Sequence, residues 1–267
     1  MLAQLIIVII LTFVIHLIST LSYAVRIVSI RTRKVALTIS LFNILVLVSR
    51  TANTFQAPLL SKIVEHDINN GVLVPKTEWF SMIIGSSTIA TIIGMLLIPT
   101  FQRILNHAVE DFSLFKSIPR LIKKAFSLRT YQVIQSDFAL PKKGNIRIKE
   151  ISSYISWKYV VMNMFAAAII TIAVLASIYA GYINPQYRTT ASSLSSIING
   201  LATIFMFIFI DPYLSVMVDE TINGKMSEII YRRYMVLLLM ARVVGTILAQ
   251  FLLYPSAWII AKVAQII

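Results

Sequence analysis

Long apolar runs separated by short polar clusters dominate the chain, and their length predicts helices that cross a membrane. Windows of about 20 mainly apolar residues, enough for a helix to span a hydrocarbon core, fall at residues 2–24, 35–60, 79–101, 159–182, 191–218 and 234–260. The expected fold is all-α and integral to the membrane, with six transmembrane helices. The first window lacks a basic leader and has no small-residue cleavage pattern behind a short apolar core. It reads as a retained span.

Composition sharpens this picture. Of 267 residues, 58% are apolar, 13% are charged and none is cysteine, which excludes a disulfide scaffold, thiol chemistry and cysteine-ligated metal. The net charge is nevertheless +13. On so apolar a chain this marks a basic cytoplasmic face in contact with anionic membrane lipids, not nucleic-acid binding. Residues 25–34 carry four lysines and arginines, residues 102–158 eleven and residues 219–233 three, against four on the opposite side. By the positive-inside bias, both termini are expected outside the cytoplasm.

The two halves also resemble each other. At a shift of 156 residues, Tyr23-Ala24 meets Tyr179-Ala180, Ser40 meets Ser196, Asn43 meets Asn199, and Leu96 to Pro99 meets Leu252 to Pro255. With small slips, Pro58 meets Pro212, Gly71 meets Gly224, and the series Ser86, Ala90, Gly94 meets Ala241, Gly245, Ala249. Residues 1–101 and 159–267 then form two three-helix units joined by the basic segment 102–158. An odd number of helices per unit turns the units opposite ways, predicting the 3+3 inverted-topology repeat common in alternating-access transporters. The small residues at spacing four predict close helix packing.

Polar residues inside the spans narrow the chemistry. Arg50 lies about fifteen residues into the second span, too deep to snorkel comfortably, where an arginine costs at least about 2.5–3.5 kcal/mol. Asn43, Asn53 and Thr54 fall on or near its helical face. Either Arg50 is structural, bonded to main-chain carbonyls, or it lines a cavity and binds an anion. Arg242, nearer the cytoplasmic end of the sixth span, could snorkel or supply a second anion ligand. His16 lies in a polar stripe with Thr12, Thr20 and Tyr23, and reads as a packing residue or a titrating gate. The candidate substrate-binding set is therefore Arg50, Arg242, Asn43, Asn53, His16 and Tyr23. Asp211-Pro212 reads as a helix cap followed by a first-turn proline, so the fifth helix is expected to break there. Asp211 is alternatively a counter-ion or proton carrier.

Residues 117–131, "SIPRLIKKAFSLRTY", pattern as an amphipathic helix whose Arg120, Lys123, Lys124 and Arg129 meet anionic lipid at the interface. Catalytic signatures are missing. There is no P-loop, no H-E-x-x-H and no G-x-S-x-G, and the three histidines are scattered, so no cofactor, metal site or enzymatic role is expected. His107 with Glu110 and Asp111 reads as ordinary surface.

The stretch "SYAVRIVSIRTRKVALTISLFNILVLVSRTANTFQAPLL", residues 22–60, resembles the Amj family of bacterial lipid II flippases, and the length and six-span layout agree. The resemblance implies transport of the undecaprenyl-pyrophosphate-linked peptidoglycan precursor from the inner to the outer leaflet of the plasma membrane, as an alternate to MurJ. It carries no set of functional residues onto this chain. A pyrophosphate crossing the membrane would suit Arg50 and Arg242. A headgroup so large against six helices suggests a homo-oligomer. The alternatives are a transporter of another lipid or a small anionic solute, an intramembrane enzyme acting on polyprenyl phosphates, and an assembly scaffold.

Overall fold

Main-chain polar groups find no partner in hydrocarbon, so apolar segments of this length satisfy them internally as helices. The computed structural model describes residues 1–117, 123, 135–141, 144 and 155–267, and among these there is no strand. Six helices are long and apolar enough to cross a membrane: α1 (Leu2–Thr32), α2 (Val35–Asn69), α3 (Thr77–Phe115), α4 (Trp157–Ile183), α5 (Pro185–Ile222) and α6 (Glu228–Ile266). Each runs past its apolar window at one end or both. The largest difference is at α3, which continues to Phe115, while α1 extends far enough to carry Arg26 and Arg31 on the helix itself. Hydropathy marks only the hydrocarbon depth, whereas helical hydrogen bonding persists into the interface where arginine heads are solvated.

The break expected at Asp211-Pro212 does not occur. Instead α5 is continuous: a 3-10 turn (Pro185–Tyr187), an α segment (Arg188–Phe205), a π turn (Met206–Ile210) and a final α segment (Asp211–Ile222). The Asp211 N–H bonds to the Met206 carbonyl five residues back. A proline has no N–H, and its ring collides with the carbonyl four residues earlier. Widening the turn relieves the collision without ending the helix. Asp211 is thus helical and does not cap. Pro58, Pro99 and Pro255 likewise lie inside helices.

Helix α1 packs against α2 and α3, α4 packs against α5 and α6, and α3 meets α6 between them. The small residues Ser86, Ala90, Gly94, Ala241, Gly245 and Ala249 are all buried. At Gly94 a β-carbon would stand 2.8 Å from Thr20 Cβ on α1, and at Gly245 it would stand 2.3 Å from the Met164 carbonyl on α4. The tight α1–α3 and α4–α6 pairs therefore require the absence of a side chain there. Helices α2 and α5 end alike, each followed by an asparagine and a glycine at φ +75 (Asn70-Gly71 and Asn223-Gly224), a conformation that only glycine adopts without strain.

The interior divides into two apolar clusters. One gathers Val28, Val109, Met235 and Leu238 towards the end where the lysines and arginines concentrate, here the basic end. The other gathers Val8, Ile83, Leu175 and Ala257 towards the opposite end. Along α1 the clusters reach Ile18 and Val8, and along α6 Ala241 and Ala249, leaving an interval in each helix. The buried polar residues Thr12, His16, Arg242 and Thr246 fill these intervals, and with Ser87 and Thr91 on α3 they form a belt across the middle of the bundle.

Candidate functional site

Most of the belt is satisfied locally. Thr12 donates to the Val8 carbonyl at 2.8 Å, Thr91 to Ser87 at 2.7 Å and Thr171 to Ala167 at 2.7 Å, the return bond to the preceding turn that hydroxyls make in apolar helices. Gln56 on α2 donates to Thr12 Oγ1 at 2.8 Å and joins that helix to the belt.

Arg242 and His16 differ from the rest. Arg242 is only 3% exposed, and its Nη2 donates to Ser19 Oγ on α1 at 2.6 Å. Its Nε has no hydrogen-bond partner. No carboxylate pairs with it among the described residues. His16, about one helical turn before Ser19, is 5% exposed, and its Nδ1 is also without a partner. An unpaired charge at this depth is costly unless an anion or water reaches it. Ser19 thus holds one side of the guanidinium, and its Nε edge and the His16 Nδ1 are left without a protein partner among the described residues.

Tyr23 sits nearer the basic end. Its hydroxyl donates to Asn163 Oδ1 on α4 at 2.8 Å, and Asn163 Nδ2 donates to the Leu238 carbonyl on α6 at 2.9 Å. This chain ties α1, α4 and α6 together and occupies the hydroxyl, leaving the Tyr23 ring to line a cleft between α1, α3 and α6. Asp211 pairs with Arg26 Nη2 at 2.5 Å and so fastens α5 to α1.

The remaining candidates are not brought to this site. Asn43, Arg50 and Asn53 are exposed on α2, where no other part of the described chain covers them, and Thr54 returns a 3.0 Å bond to the Arg50 carbonyl. Lys123 is exposed, whereas Arg120, Lys124 and Arg129, with most of the expected amphipathic helix, lie outside the described residues.

Two groups escaped the sequence reading. Ser19 and Asn163 bond to predicted residues, and Asn163, isolated in an otherwise apolar run, was the available signal. At the opposite end, Asp67 is 3% exposed and accepts from Tyr182 Oη at 2.8 Å and from Lys76 Nζ at 2.8 Å, while Lys76 also lies 4.6 Å from the centre of the Trp79 ring. Asp67 falls beyond the apolar window, which is why it drew no attention.

Comparison with known proteins locates this architecture. The family described as Amj, alternate to MurJ, matches residues 11–264. The chain is 35% identical over 248 residues, or 92% of its length and 91% of the relative's, to a Bacillus subtilis (strain 168) protein named lipid II flippase Amj. No solved structure matches.

Proposed function

This chain belongs to the Amj family, and on that premise we propose that it is a lipid II flippase, a transporter and not an enzyme, that moves the polyprenyl-pyrophosphate-linked peptidoglycan precursor across the bacterial plasma membrane. The observation that carries the mechanism is Arg242, buried at mid-bundle with an unpartnered Nε beside the unpartnered Nδ1 of His16. A guanidinium forms charge-assisted, bidentate bonds with phosphate, and a low-dielectric surrounding strengthens them. Arg242 and His16, steadied by Ser19, receive the pyrophosphate halfway across while the prenyl tail stays in lipid.

In this reading the basic end faces the cytoplasm, the termini face outward, and anionic lipids gather at the basic rim. The 3+3 repeat supplies the motion. It is supported by matching pairings of α1 with α2 and α3 and of α4 with α5 and α6, and by the shared Asn-Gly ends of α2 and α5. Tilting one unit against the other would present the belt to each leaflet in turn. Arg50 gives the reading its oligomeric part. A guanidinium that the described residues leave exposed in mid-helix is stable in a bilayer only against water, an anion or protein. A second copy of the chain covering the Asn43–Asn53 face supplies that contact.

The test is rescue of a bacterium depleted of its lipid II flippase, read by labelling lipid II in the outer leaflet, with variants expressed to equal levels. Wild type should rescue. Arg242→Gln should lower transport about ten- to hundredfold, the usual worth of charged hydrogen bonds, and Arg242→Lys should fall between. No rescue by well-expressed wild type overturns the function, whereas full rescue by Arg242→Gln overturns the anion station alone.

A further inference from the structure

Two clefts of about 480 Å³ each adjoin at the basic end, and they share Arg31 and Arg103. Among the described residues their walls are of opposite character. The cleft between α1, α3 and α6 is walled by Met95, Leu96, Pro99, Leu239 and Met240 with the Tyr23 ring. Its neighbour is walled by Lys34, Asn106, His107, Glu110 and Asp137. Two guanidiniums thus stand where an apolar cavity meets a polar one.

Among the described residues neither guanidinium has a carboxylate to itself. Glu228 accepts from Arg31 Nε at 2.9 Å and from Arg232 Nε at 2.8 Å, so one carboxylate serves two cations. Arg103 donates to the Asp137 carbonyl at 3.4 Å, longer than an ordinary hydrogen bond. The acids of the polar cleft face His107, whose ring nitrogens lie 3.1 Å from Asp137 and 3.8 Å from Glu110.

An amphiphile with an anionic group between an apolar chain and a polar head matches this order of surfaces. We propose that the paired clefts form a loading site for a polyprenyl pyrophosphate: the first isoprene units in the apolar cleft, the pyrophosphate on Arg31 and Arg103, and the sugar-peptide end towards the polar cleft. The proposal rests on the lipid II reading and names where that substrate enters. Each cleft falls within the usual size of a small-ligand site, and a single apolar cleft of that volume suits one branched chain better than the two acyl chains of a phospholipid. The site also leads onward. Leu239 in the wall of the apolar cleft is three residues from Arg242, and Tyr23 is four from Ser19, so the inner end of that cleft lies about one helical turn from the mid-bundle station, while Arg31 at its mouth lies about three turns from Ser19.

The experiment measures binding to the full-length protein in nanodiscs with three probes: farnesyl pyrophosphate, inorganic pyrophosphate and phosphatidylglycerol. Arg103→Gln should weaken both pyrophosphates by about tenfold or more. Met240→Trp, which fills the apolar cleft, should weaken farnesyl pyrophosphate alone. Unchanged unfolding temperatures establish that both variants are folded, and Leu96→Trp replaces Met240→Trp if that variant is not. Equal affinity for inorganic and farnesyl pyrophosphate overturns the proposal in favour of a free-anion site. Displacement of farnesyl pyrophosphate by equimolar phosphatidylglycerol overturns it in favour of an ordinary lipid site. Indifference to both substitutions places loading elsewhere. If wild type still rescues flipping in any of these cases, lipid II transport stands and only the loading site falls.

Discussion

Two arginines of the same chemistry, each within an apolar span, end in opposite surroundings. Helical periodicity put Arg50 on a polar face with Asn43 and Asn53 but could not tell what would cover that face. The answer depends on where α2 lies, and α2 leaves all three exposed. Arg242 looked able to snorkel and is instead buried against Ser19, because α1 crosses α6 at that level. Burial of His16 and Tyr23 was legible, since intramembrane polar groups turn inward. Their partners were not, because Asn163 is 140 residues from Tyr23 in sequence. Glycine gives the sharpest check at this scale. Gly245→Ala forces a β-carbon against the Met164 carbonyl and should destabilise the protein by about 1–3 kcal/mol. Gly200→Ala meets nothing within 4 Å and should be neutral, or stabilising by up to about 1 kcal/mol. Unfolding of the purified protein, monitored by tryptophan fluorescence, would expose an error if the two variants behaved alike.

Among the elements, all six spans were legible because hydropathy and length leave a membrane chain few other options. Their ends were not, since nothing in an apolar window marks where helical bonding stops. The misreading of Asp211-Pro212 has a local cause: aspartate before proline is also the signature of a helix start, and only the geometry of the preceding turn separates the two. The π turn at Met206–Ile210 accommodates the proline ring, so removing the ring should let α5 return to regular hydrogen bonding. Pro212→Ala is accordingly expected to raise the unfolding midpoint, by at most the ~3 kcal/mol that separates the two residues in a helix interior. A lowered midpoint would mean that the wide turn is set by the Asp211–Arg26 pair instead.

For the whole molecule, orientation is the expectation most open to direct test, and the absence of cysteine makes the labelling background clean. Val74, 77% exposed between α2 and α3, and Lys225, between α5 and α6, lie at opposite ends of the bundle. In intact cells a membrane-impermeant thiol reagent should label Val74→Cys and spare Lys225→Cys, and the reverse pattern would invert the assignment of the basic end. The belt that divides the interior has a wider consequence. Side chains in the cluster around Val28 and Leu238 do not share partners with those around Val8 and Leu175, so substitutions at the two ends should combine additively, while those within one cluster should not. Each end of the bundle can then drift in sequence on its own, and compensating changes among relatives are to be sought within a leaflet rather than across the membrane.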